Sequence, residues 1–180
     1  MRCALGFVAH TGWAIAVAVG TGKAPFLLDR RRIELVSAGR EVAFVYHAAQ
    51  ELGLTEAERK VAEVRREAEI RAREAIALQV ATLRKGGHEP GQCAIVGSRK
   101  AVPTDLGTIL QSHALVHAAE GGLYREALAL GAKANGLEAM TITPDELDLG
   151  AALLHDLGRG AGPPWGRDQK LAALAAALRF

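Results

Sequence analysis

Three side chains carry the clearest chemistry in this chain: His113, His117 and Glu120, spaced H-x3-H-x2-E. On a helix, positions i, i+4 and i+7 share one face. Two imidazoles and a carboxylate placed this way can hold a zinc-class ion or share protons in a polar network. No HExxH motif accompanies them. At about 100° per residue, they and Tyr124 fall on the arc of Leu106, Ile109, Leu110, Val116 and Ala127. Gln111, Arg125 and Glu126 fall on the other side. The stripe is therefore expected to face the protein, where an unpaired polar group is costly. It needs partners, either a structural network or a ligand.

A second group of residues suits anions. Ser98-Arg99-Lys100 follows the apolar run QCAIVG, in a loop that precedes a helix start. A loop of that kind at the carboxyl end of a parallel strand fits phosphate. It is not a P-loop, because the glycine spacing and Gly-Lys-Ser/Thr are missing. Arg30 and Arg32 would share one face of a strand, available for phosphates or for acids of a neighbouring helix. His10 and Thr11 interrupt the first apolar run beside Trp13, and His47 offers a similar imidazole. Asp168 opens the last helix, as a cap or as a site carboxylate.

The elements that would position these groups follow from periodicity. Residues 3–19 read as one long strand and 25–36 as a second, joined by Gly20-Thr21-Gly22-Lys23. Residues 41–46 read as a third short strand or as the lead-in to a helix. Thr55 and Glu58 form a capping box that opens a helix to Lys85, closed by Gly86-Gly87. Its expected apolar stripe is Val61, Val64, Ala68, Ala72, Ala75, Gln79 and Leu83. Residues 92–97 read as a buried strand, 104–131 as a helix kinked or divided in two at Gly121-Gly122, and 137–142 as another strand. Thr143-Pro144-Asp145-Glu146 reads as a helix start, with that helix ending near Gly158. A final helix begins at Asp168. Strands linked through long helices imply a mixed sheet with parallel members and helices on its faces.

Composition fits a globular chain: 180 residues, 49% apolar, 23% charged, 4% aromatic, net charge +2. The length suits a single domain, residues 1–180, with a core of small aliphatics. The charge neither demands nor excludes nucleic acid, since a local patch matters more. Cys3 and Cys93 match no zinc spacing and are expected to be buried, reduced thiols of a cytoplasmic protein. His10, Thr11 and Trp13 break the N-terminal apolar run, against a signal peptide. No stretch is apolar enough to span a membrane.

The element order is similar to the RNase H-like fold, in which antiparallel strands precede helix-separated parallel ones. Thr11-Gly12-Trp13-Ala14 in the first strand resembles the opening strand of bacterial Holliday-junction resolvases. The helix opened by Asp168 resembles their last helix, which brings in an active-site carboxylate. The resemblance implies an α/β fold with a mixed sheet flanked by helices, and a two-metal nuclease site built from carboxylates. This chain departs from that pattern. Its first strand has no Asp or Glu, with Phe7, Val8, Ala9 and His10 in the relevant stretch, and QCAIVG has none either, leaving Asp105 to reach back.

Three functional readings stand at this point. One is a nucleic-acid-associated module without the usual metal carboxylates, gripping phosphate through Arg30, Arg32, Ser98, Arg99 and Lys100. Another is an enzyme using His10, His113, His117, Glu120 and Asp168, with histidine as general base and a divalent metal as an open cofactor choice. The last is an interaction module, or a homo-oligomer, docking through the Ala/Leu-rich final helix. Fold analogy favours the first.

Overall fold

The computed structural model describes residues 1–37, 39–147, 151–159 and 161–180. One five-stranded sheet organises them, in the order β3-β2-β1-β4-β5. The strands are β1 (Arg2–His10), β2 (Trp13–Gly20), β3 (Phe26–Glu34), β4 (Glu89–Val96) and β5 (Glu138–Ile142). β1, β2 and β3 pair antiparallel, while β1–β4 and β4–β5 pair parallel. The helices are α1 (Arg40–Ala43), α2 (Val45–Ala49), α3 (Leu54–Lys85), α4 (Leu106–Leu110), α5 (His113–Ala134), α6 (Ala151–Gly158) and α7 (Arg167–Ala177).

Alternation along the strands sorts side chains to two buried faces. Leu5, Phe7, Ala14, Ala16, Cys93 and Ile95 meet α2, α3 and α5. Val8, Ile15, Val17, Val19, Ala94 and Val96 meet α7. α7 lies close against the sheet because β1 has no side chain at Gly6. A Cβ there would stand 2.7 Å from the carbonyl carbon of Ala172 and 3.0 Å from the nitrogen of Ala176. Ala172 to Ala176 are all buried, so the apolar face of this helix is already covered by the sheet and is not the free docking face expected of it. Among the described residues no helix is long and apolar enough to cross a membrane. Cys3 and Cys93 are buried free thiols.

Several local expectations are corrected. The single strand over 3–19 is two strands, because Thr11-Gly12 forms a turn with Gly12 at φ 86°. That positive φ suits glycine. Of the two alternatives for residues 41–46, the structure shows the helical one, for a reason given below. α3 begins at Leu54 with Gly53 as N-cap and no side-chain cap, so Thr55 lies inside the helix. Its buried stripe runs largely as expected, with Ile76 and Val80 added and Ala75 half-buried. The helix over 104–131 breaks at Gln111 and restarts where the Ser112 side chain accepts from the Leu115 N–H. It is not divided at Gly121-Gly122, through which α5 runs unbroken. Thr143 and Glu146 do form a capping box, but it opens only a one-turn 3-10 helix, Pro144–Glu146. The expected helix then passes through residues 148–150, which lie outside the described residues.

Candidate functional site

Because β1, β4 and β5 run parallel, their carboxyl ends share one edge of the sheet. That edge gathers His10, the Ser98–Lys100 loop and Thr143, and the amino end of α7 joins it. His10 Nε2 and Asp168 Oδ2 are 2.9 Å apart, about one-third exposed each. The His10 ring stacks on Trp13 at 4.0 Å and 10°. The guanidinium of Arg32 lies 3.9 Å from the Trp13 ring centre and pairs with Glu34 at 2.6 Å. The pairing register explains the assembly: His10 opposes Trp13, and Arg32 opposes Ile15 on the same face of the sheet. Arg30, on that face too, donates to the carbonyls of Gly162, Pro163 and Pro164 and so holds the loop that leads into α7. Its neighbour Arg31 pairs with Asp29, which also accepts from the buried Gln79 of α3 at 3.0 Å.

Beside β4 the edge opens into a groove of about 900 Å³ between α3, α5 and the 98–105 loop. Arg65, Arg66, Ser98, Arg99, Lys100 and Arg125 contribute to its lining. Two of its cations are tied down: Arg65 pairs with Glu126, and Arg99 bonds the Thr141 carbonyl and Glu146. Hydrogen bonds from the Thr143 N–H and hydroxyl, with Arg99 beside it, hold Glu146 below the ordinary carboxylate value. Asp105 caps α4 through Thr108 at 2.7 Å, which likewise lowers its pKa.

Arg125 differs from its neighbours. Burial depresses its pKa, and among the described residues nothing pairs with its guanidinium. The side chain runs between two glycines. A Cβ on Gly97 would stand 2.8 Å from its Nε, and a Cβ on Gly121 would stand 2.8 Å from its Nη1. Gly121 therefore leaves space for Arg125, one turn later on α5. The sequence reading put Arg125 on the solvent side. An arginine four residues after a helical glycine was the signal available.

The histidine stripe divides. Glu120 and Tyr124 are buried, but His113 and His117 are exposed. The break at Gln111 interrupts the continuous helical phase that had placed all four on the inward arc. Glu120 accepts from the Tyr46 N–H at 3.1 Å and the His47 N–H at 3.3 Å, and bonds His47 Nδ1 at 2.7 Å. Those two N–H groups are orphans of the first turn of α2, which has no cap of its own. A glutamate from α5 thus caps α2, and Tyr124 adds a 2.6 Å bond to the Ala43 carbonyl. This is why residues 41–46 become helical. The same carboxylate turns His47 toward the other two histidines, with ring centres 4.6 Å from His117 and 5.6 Å from His113. His113 and His117 Nε2 atoms are 3.0 Å apart. This cluster lies on the α5 side of the sheet, and His10 with Asp168 lies on the α7 side, so the five expected catalytic residues form two groups.

No known family model matches the chain, and no curated protein matches it in sequence. Solved structures do resemble it, two RuvC structures among them. One is Thermus thermophilus RuvC in complex with a Holliday junction substrate, at TM-score 0.59 and 11% identity, covering 98% of this chain and 91% of that one. The other is a Thermus thermophilus RuvC structure, at TM-score 0.55 and 12% identity, covering 97% and 91%. The chain has their RNase H-like fold, a mixed five-stranded sheet flanked by helices.

Proposed function

We propose that this RNase H-like chain associates with nucleic acid by holding backbone phosphate in the groove at the carboxyl end of β4. The observation that carries the reading is Arg125, a partly desolvated cation that forms no ion pair among the described residues, in a groove whose lining also includes Glu58, Glu69, Asp105 and Glu126. Such a charge favours an incoming anion over bulk water. Lys100 and Arg66, both exposed and unpaired among the described residues, extend the positive lining. The RuvC structure solved in complex with a Holliday junction substrate supports nucleic acid as the source of that phosphate.

The reading does not include two-metal cleavage. β1 carries no carboxylate, β4 carries only Glu89 at its amino end, and Asp168 is engaged by His10. Among the described residues the only close group of three or more metal-donor side chains is histidine, not carboxylate. The His10–Asp168 pair favours a second, enzymatic reading, since a carboxylate on one ring nitrogen orients the imidazole as a base. Hydrolysis of a model phosphodiester, lost in His10→Gln, would favour that reading.

The test of the groove is a salt series with charge-removal variants. Arg66, Lys100 and Arg125 as three phosphate contacts give log K against log[salt] a duplex slope of about −2.7, at about 0.9 per contact. Arg125→Gln and Lys100→Gln are each expected to reduce the slope by about 0.9. Slopes unchanged in both variants would overturn the assignment of phosphate to this groove.

A further inference from the structure

We infer that His47, His113 and His117 form a binding site for one divalent transition-metal ion of the zinc class, with Glu120 as its positioning residue. One donor atom from each histidine lies within 4.8 Å of the other two. A tetrahedral ion about 2.0–2.1 Å from each nitrogen sets its ligands roughly 3.4 Å apart. The 3.0 Å between His113 and His117 needs only a small opening, which exposed side chains can make. Nitrogen-only donors select zinc and its neighbours in the transition series over magnesium or calcium, which take oxygen.

Glu120 is what separates this cluster from three chance neighbours. Only 2% exposed, it takes the Nδ1 side of His47. With Nδ1–H donated there, the lone pair of His47 resides on Nε2, the nitrogen left for an ion. A buried carboxylate behind a ligand histidine is the usual support that fixes its tautomer and orientation. With three protein ligands at an exposed edge, the fourth position stays open to water or a small anion. The ion would also tie α2 to the first turn of α5, adding to the Glu120 and Tyr124 bonds. Nothing in this site depends on nucleic acid being bound.

The experiment uses the full chain without an affinity tag, stripped with chelator and titrated with Zn²⁺, Co²⁺ and, as control, Mg²⁺ by calorimetry. One Zn²⁺ or Co²⁺ per chain is expected, with the visible spectrum of four-coordinate Co²⁺, and no Mg²⁺ binding. His117→Ala, at an exposed position, should lose this binding while the metal-free protein melts as before. Glu120→Gln should weaken it by about 10–100-fold. The amide NH₂ would then donate to Nδ1 and move the ring proton to Nε2. His47→Ala gives the same readout if Glu120→Gln does not fold. Absence of saturable Zn²⁺ binding, or an affinity unchanged in both His117→Ala and His47→Ala, would overturn the assignment.

Discussion

Replacing Gly6 by alanine probes the contact that seats α7 and, through it, Asp168. The new Cβ would lie 2.7 Å from the Ala172 carbonyl carbon and 3.0 Å from the Ala176 nitrogen, where ordinary contact begins at 3.4 Å. These are backbone atoms, so no side-chain rotation relieves them and the helix itself must move out. Overpacking typically costs 1–3 kcal/mol, and a backbone block belongs at the top of that range, about 3 kcal/mol. In a chain of this size each kcal/mol lowers Tm by roughly 2–4 °C, so Gly6→Ala should melt about 6–12 °C lower. The outward shift should also draw Asp168 from His10, visible as a change in the His10 ring resonances by nitrogen-15 NMR. Gly91→Ala is the control, since a Cβ there meets nothing within 4 Å. Calorimetric melts of the three proteins decide the matter. A Gly6→Ala protein melting within about 2 °C of its parent would refute backbone-contact docking of α7.

Other consequences can be measured alongside. The adjacent glycines of α5 should respond unequally: Gly122→Ala meets nothing and should stabilise by about 0.5–1 kcal/mol, whereas Gly121→Ala must displace the end of the Arg125 side chain and should gain less, in the same denaturant titration. Burial pushes the Cys93 thiol up to about 12, so iodoacetamide at pH 8 should leave it unlabelled in the native protein and label it after denaturation. Below the ordinary value of 9.0 the thiol is neutral folded or unfolded. Between pH 9.0 and about 12 only the unfolded thiol ionises, so stability should fall with rising pH across that window, and less so in Cys93→Ala.

The mixed sheet was legible because its apolar runs are separated by long, well-punctuated helices. The 54–85 helix shows this best: its buried stripe and its Gly86 stop are local properties of the sequence. Turn chemistry was less legible. Thr11-Gly12 sits inside a seventeen-residue stretch read as one strand, and the polar break at His10-Thr11 and the usual strand length of about 3–10 residues argue for a reversal there. The helical state of residues 45–49 was legible only as one of two alternatives, since their cap is a glutamate 74 positions away from Tyr46. The same gap hid the partnership of His47 with His113 and His117. His10 and Asp168 were each singled out, and the fold joins them across 158 positions. Arg125 was missed because the space it occupies is made by Gly97 on β4 as much as by its own helix.

The most direct measurement is equilibrium binding of the unmodified chain to four-way-junction, duplex and single-stranded DNA between 50 and about 200 mM salt, with Mg²⁺ present or omitted and cleavage scored in the same tubes. Saturable binding that weakens about 40-fold on duplex across that range is expected, without Mg²⁺-dependent cleavage. Binding absent for all three DNAs, or insensitive to salt, would contradict the phosphate-gripping reading, and Mg²⁺-dependent cleavage would contradict the exclusion of two-metal chemistry from it.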